Sequence, residues 1–173
     1  MTVAFRPHLL CTLLVFVALP RPTVAQETEL TLRTHLMIGD FAGGSGGAAE
    51  IVFSGGYAVH PQVAISLEGY AIFPLRIGSG GNTTNVVLRV APTIELRIGE
   101  PLKYGYLKLG SGLDGQHYNG SWKPAWSLVS ALGYAVRPRD LKFYFGFEFA
   151  GGLALIGPKA MTIGVGGYIG FQL

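Results

Sequence analysis

The sequence predicts an all-β fold: an eight-stranded antiparallel up-and-down transmembrane β-barrel formed by residues 26–173. Three observations point there. Beyond residue 25 no segment sustains a helical period, whereas apolar and polar residues alternate through eight successive stretches. The connections tend to alternate between longer glycine-rich segments and tighter ones containing proline. Finally, charged residues make up only 13% of the chain, about half the usual ~25%, while hydrophobic residues reach 49%.

The first 25 residues are of another kind. Arg6 precedes an apolar run from Leu9 to Pro20 and the small-residue stretch Thr23-Val24-Ala25. That is the three-part pattern of a secretory signal peptide, cleaved after Ala25. The run is too short for a helical span, which needs about 20 residues. Cys11, the sole cysteine, lies inside it without the preceding small residue of a lipoprotein signal. The mature chain is therefore expected to carry neither lipid anchor nor disulfide.

The strands follow in order. Thr31, Arg33 and His35 alternate with Leu30, Leu32, Thr34, Leu36 and Ile38. Ile51, Phe53, Tyr57 and Val59 stand opposite Glu50 and Ser54, and Val63, Ile65 and Leu67 opposite Ser66, Glu68 and Tyr70. Val86, Leu88, Val90 and Ile94 face away from Asn85, Arg89 and Thr93. Leu107, Leu109 and Leu113 oppose Lys108, and Trp126, Leu128, Leu132 and Tyr134 oppose Ser127. Phe143, Phe145, Phe147 and Phe149 oppose Lys142, Tyr144 and Glu148. In the last strand Ile163, Val165, Ile169, Phe171 and Leu173 oppose glycines, Tyr168 and Gln172. Between strands, FAGGSGG, LRIGSGGNT, DGQHYNGSWK and IGPKAM read as loops, and His60-Pro61-Gln62, RIGEPLK and Arg137–Asp140 as turns.

Alternation alone does not say which face meets solvent. Arg33, Glu50, Glu68, Arg89, Lys108, Lys142 and Glu148 all lie opposite the apolar face of their strands. A soluble periplasmic barrel binding a small apolar ligand would put the aliphatic residues inside; a membrane barrel would put the charges there. The apolar face holds Trp126 and four phenylalanines, bulky for an eight-stranded interior that barely accommodates side chains. Small Gly, Ala and Ser share the charged face and leave room for it. The membrane orientation is therefore expected, with the seven charged residues forming an interior network. A plug of fixed ion pairs is expected, because eight strands leave almost no free bore; the alternative is a narrow ion path in which pairs such as Arg89 with Glu68 exchange partners.

The pattern GYAVHP, GYAIFP, GYAVRP occurs at 56–61, 69–74 and 133–138. Tyr57 and Tyr134 close strands before tight turns on the apolar face, as girdle aromatics do, and Phe143 and Phe171 fit the same belt. Pro61 and Pro138 end those strands by removing a ladder donor. Tyr70 follows Glu68 on the inward face instead.

The C-terminal MTIGVGGYIGFQL, with Val165, Ile169, Phe171 and Leu173 alternating, resembles the terminal strand by which outer-membrane proteins are recognised for assembly. Together with YGYLKLGSGLDG at 104–115, the mature chain resembles the small eight-stranded outer-membrane barrel family of the OmpA, OmpX and opacity-protein type. The resemblance implies a monomer in the outer membrane of a Gram-negative bacterium. Its partners would be membrane lipid, lipopolysaccharide and the barrel-assembly machinery, the last through the C-terminal strand.

Candidate chemistry is sparse. His60 reads as a turn residue before proline, and His117 falls in a glycine-rich loop, a poor platform for a catalytic triad. No histidine has a serine two positions away, as a lipid A or phospholipid hydrolase working on one strand face would need. There is no mature cysteine and no histidine pair for zinc, and GGSGG lacks the Lys-Ser/Thr of a phosphate loop. No catalytic residue, metal or cofactor is expected. Net charge beyond residue 25 falls to 11 basic against 10 acidic, with no basic stripe for nucleic acid. The expected role is structural or one of surface interaction through the 114–123 loop, with His117, Tyr118, Trp122 and Lys123 exposed. A lipid-modifying enzyme is the alternative of another class.

Overall fold

The computed structural model describes residues 27–41, 44–75, 84–118, 120–139, 141–158 and 160–173. The expected signal peptide at 1–25 lies outside them, as do residues 76–83 of the third connection. Eight strands form: β1 (Thr28–Phe41), β2 (Gly44–His60), β3 (Val63–Leu75), β4 (Thr84–Glu100), β5 (Lys103–Tyr118), β6 (Ser121–Val136), β7 (Phe143–Ile156) and β8 (Met161–Gln172). Each pairs antiparallel with the next, and β8 returns to β1 to close the barrel. The stagger can be followed through direct partners: Glu29, Gly56, Ser66, Thr93, Gly110, Val129, Gly152, Thr162 and back to Gly39 on β1. One circuit thus climbs ten residues along β1, the tilt that lets eight strands close without an edge.

The two faces are inverted relative to a water-soluble barrel. Leu36, Phe53, Leu67, Ile98, Leu113, Leu132 and Phe149 all point outward and are exposed, whereas Arg33, Glu50, Glu68, Arg89, Lys108 and Glu148 are buried. The soluble alternative therefore has its faces the wrong way round. A continuous apolar wall with charges behind it is what a bilayer core selects.

Several connections are shorter than the glycine content suggests. DGQHYNGSWK is not a loop: β5 and β6 stay in register to Tyr118 and Ser121, leaving only residues 119–120 between them. Alternation simply continues, with Asp114 and Gln116 inward and Leu113 outward, and Gly115 lies against the Trp122 ring. Likewise Gly44–Gly47 of FAGGSGG extend β2 against Ile38–Phe41. In RIGEPLK the turn is reduced to Pro101-Leu102. Gly99, just before it, takes a φ of 128°, and a Cβ there would lie 2.8 Å from the Lys103 carbonyl oxygen. The β6–β7 connection is longer than its four expected residues, spanning 137–142.

This turn end of the barrel gathers both strand termini and the β2–β3, β4–β5 and β6–β7 connections. Tyr57, Tyr134, Phe143 and Phe171 all lie near it. Phe143 and Phe171 are direct partners, and the Tyr134 ring sits 6.3 Å from Phe147.

Candidate functional site

Inward residues of every strand meet in the lumen, and six of the seven expected charged residues lie there. Arg33 on β1 places Nη1 2.7 Å from Glu68 Oε1 and Nε 3.4 Å from Glu148 Oε1. Lys108 Nζ on β5 lies 3.0 Å from Glu68, 3.6 Å from Glu95 and 4.0 Å from Glu148. The hydroxyls of Tyr70 and Tyr106 donate to Glu68 and Glu148. Glu50 accepts from the His35 ring at 2.7 Å. Glu68 and Glu148 thus face cations or donors on several strands, the condition under which buried charge is tolerated.

Two expectations need correction. Lys142 is exposed and belongs to the β6–β7 connection, because β7 begins one residue later; its backbone carbonyl accepts from Gln172 N at 2.7 Å. Arg89 does not pair with Glu68. Its direct partner across β4–β5 is Asp114, which it grips through Nε at 2.7 Å and Nη2 at 2.9 Å, while Glu68 stands opposite Ala91. Ser127 adds a third bond to Asp114 at 2.7 Å.

Toward the turn end lies a second cluster that strand parity could have revealed. Arg97 binds Glu29 through both terminal nitrogens, at 3.1 and 2.6 Å, and Glu95 through Nε at 2.7 Å. Arg137 reaches Glu27 at 3.0 Å and Glu29 at 2.8 Å, and Tyr144 donates to Glu29 at 3.3 Å. In the sequence Arg97 opens a segment that reads as a turn, and Asp114 one that reads as a loop.

Tyrosines organise the rest. Five interior cations each lie over a tyrosine ring: Arg33 over Tyr168, Arg89 over Tyr70, Arg97 over Tyr104, Lys108 over Tyr106 and Arg137 over Tyr144, all between 4.9 and 5.7 Å. Three of these rings cover a cross-strand glycine, pairing Tyr106 with Gly133, Tyr168 with Gly146 and Tyr144 with Gly170. A Cβ at any of those glycines would meet the ring within 2.7 Å. Small residues on this face are therefore the sockets that let the rings lie flat against the wall.

Among the described residues, two small cavities of about 20 Å³ each, one at mid-barrel and one toward the turn end, share Arg33 as a wall. The mid-barrel cavity also reaches Met37, which packs with Ala48, Ile72 and Val87 in a buried apolar layer. Gln116, fully buried, has no hydrogen-bond partner for either amide atom among the described residues.

Outside the lumen, the His117 ring lies 5.2 Å from Trp122 near the tip of the β5–β6 hairpin, where Trp122 and Lys123 are exposed. The side chain of Tyr118 lies outside the described residues. His60 accepts from Gln62 N at 3.2 Å, a local turn contact. Both ring nitrogens of His35 are occupied by carboxylates, so no serine is served by it. Among the described residues no cluster of His, Cys, Asp and Glu fits a metal ion.

No protein-family model matches the sequence, and no curated protein matches it. Solved structures do. The crystal structure of Neisserial surface protein A superposes with a TM-score of 0.69 at 9% identity, covering 84% of this chain and 97% of that one. The chain has that fold. Ail, the attachment invasion locus protein of Yersinia pestis, matches at 0.58 and 12% identity in complex with the heparin analogue sucrose octasulfate, covering 87% and 100%. A second Ail structure matches at 0.51 and 15% identity, covering 86% and 100%. Likeness at such identities carries architecture, and function must be argued from the residues.

Proposed function

We propose that the protein is a monomeric outer-membrane β-barrel of a Gram-negative bacterium, with a structural or surface-interaction role and an interior closed by its own side chains. The observation that carries this reading is the inversion of faces: an apolar outer wall around buried, mutually paired charges. The signal-peptide pattern and the alternating last strand support delivery to that membrane and recognition by the assembly machinery. Lipid and lipopolysaccharide then contact the outer wall. Both matched proteins bear names of surface or attachment proteins, and here the β5–β6 hairpin, with His117, Trp122 and Lys123, is the segment best placed for such contact. An enzymatic role is disfavoured because His35 is committed to two carboxylates and the His117 ring lies tilted against Trp122.

The test is separation of inner and outer membranes from cells expressing the full chain, with gel migration of heated and unheated samples. Recovery with the outer membrane and slower migration after boiling are expected. Recovery in the soluble periplasmic fraction would overturn the proposal. Lipid A from cells with and without the gene should be indistinguishable by mass spectrometry; a changed acyl or phosphate pattern would favour the enzyme.

A further inference from the structure

Barrel closure places the first strand against the last, and the last strand offers little to the lumen at mid-height. On β8 the inward positions around the charged layer are Gly164, Gly166 and Gly170, with Tyr168 among them. Gly166 is the direct partner of His35 on one side and of Glu148 on the other. A Cβ on Gly166 would lie 2.4 Å from His35 Cδ2. Its absence lets the imidazole reach across β8, so that β1 is tied to β7 over the strand between them. Nε2 sits 2.8 Å from Glu148 Oε1, and Nδ1 sits 2.7 Å from Glu50 Oε2 on β2.

Neutral imidazole offers one donor and one acceptor, and a carboxylate only accepts. Both contacts are satisfied together when both nitrogens carry protons. Charge balance agrees. In this layer Glu50, Glu68, Asp114 and Glu148 face three permanent cations, Arg33, Arg89 and Lys108; Glu95, also near Lys108, is bonded to Arg97. A charged His35 is the fourth cation.

We propose that His35 is held as an imidazolium that clasps the β1–β8 closing seam from inside, making seam strength fall as pH rises. The groups facing it come from every neighbouring element: Arg33 on β1, Glu50 on β2, Glu68 and Tyr70 on β3, Arg89 on β4, Lys108 and Tyr106 on β5, Glu148 on β7 and Tyr168 on β8. β6 contributes Val129, Ser130 and Ala131, none of them titratable. Loss of a ring proton leaves one carboxylate facing a bare nitrogen lone pair. The clasp therefore contributes fully below the pH at which an unfolded histidine loses its proton, declines above it, and is gone once rising pH removes the proton from the folded ring.

The test uses the full barrel refolded in detergent micelles with isotope-labelled histidine, the His35 resonances assigned by comparison with His35→Gln. At neutral pH both ring nitrogens should show the near-equal shifts of an imidazolium; a neutral-tautomer pattern overturns the proposal. Urea midpoints of the unmodified protein should then fall from neutral to alkaline pH more than those of His35→Gln, and parallel curves would also overturn it. At fixed pH, amide exchange in His35→Gln should accelerate along β1 and β8 before β4 and β5; uniform acceleration counts against a seam clasp. If His35→Gln does not fold, Glu50→Gln replaces it in the pH series, and the ring shifts of the unmodified protein still decide.

Discussion

Glu148 shows how one inward residue becomes shared property of the barrel wall. Its two oxygens serve His35 on β1, Tyr106 and Lys108 on β5, and Arg33 on β1 at 3.4 Å. Removing it leaves Arg33 and Lys108 to share Glu68, and the His35 ring with Glu50 alone, in a buried layer, and breaking one partner of such a pair costs about 3–5 kcal/mol. Glu148→Ala should lower the stability of the refolded protein by that order in urea titrations in micelles. Lys142→Ala should change it by less than about 0.5 kcal/mol, the usual effect of a surface change away from any special contact, since Lys142 is exposed in a turn. These two residues share strand parity in the sequence, which is why alternation grouped them; parity fixes the face but not where a strand begins. Parity also extends to residues nearer the turn. Glu95 and Arg97 keep step with Arg89 and Thr93 along β4, and all four are buried. Partner choice was the part beyond reach, because Arg89 meets Asp114 rather than Glu68 only through a register that no single strand records.

At the scale of a strand, β7 is the simplest experiment the molecule offers. Phe143, Phe145, Phe147 and Phe149 form its outward row and all are exposed, while Tyr144 and Glu148 between them are buried. Phe149 lies near the middle of the strand and Phe143 at its turn end. An arginine facing lipid costs about 2–4 kcal/mol at the bilayer midplane and about 0–1 near an interface. Phe149→Arg should therefore destabilise the inserted barrel by the larger amount and Phe143→Arg by the smaller, measured as urea midpoints in lipid bilayers. Equal costs would mean that the band of Phe residues does not run across a membrane. Strand existence was readable from such rows because period two is strong in all eight stretches. Strand length was not, since glycine is a turn signal by itself yet continues a ladder wherever a neighbour covers it, as Trp122 does Gly115.

For the whole molecule, the question is whether the lumen conducts. Eight strands with a ten-residue stagger leave an interior that side chains nearly fill. Arg33 lines both the mid-barrel cavity and the one toward the turn end, held by Glu68 and Glu148 and lying over Tyr168. Near mid-height the charged layer is bordered by the apolar residues Met37, Ala48, Ile72 and Val87, which offer no ligands to a dehydrating ion. An ion path would require Arg33 to leave both carboxylates, and each departure exposes buried charge to a poorly hydrated space. The protein refolded into planar bilayers should therefore show no unitary openings at moderate voltage. Arg33→Ala removes the shared wall and should produce small, brief openings, provided urea titration shows the variant is folded. Unitary openings in the unmodified barrel would mean that the ion pairs exchange partners and that the interior is a gate rather than a plug.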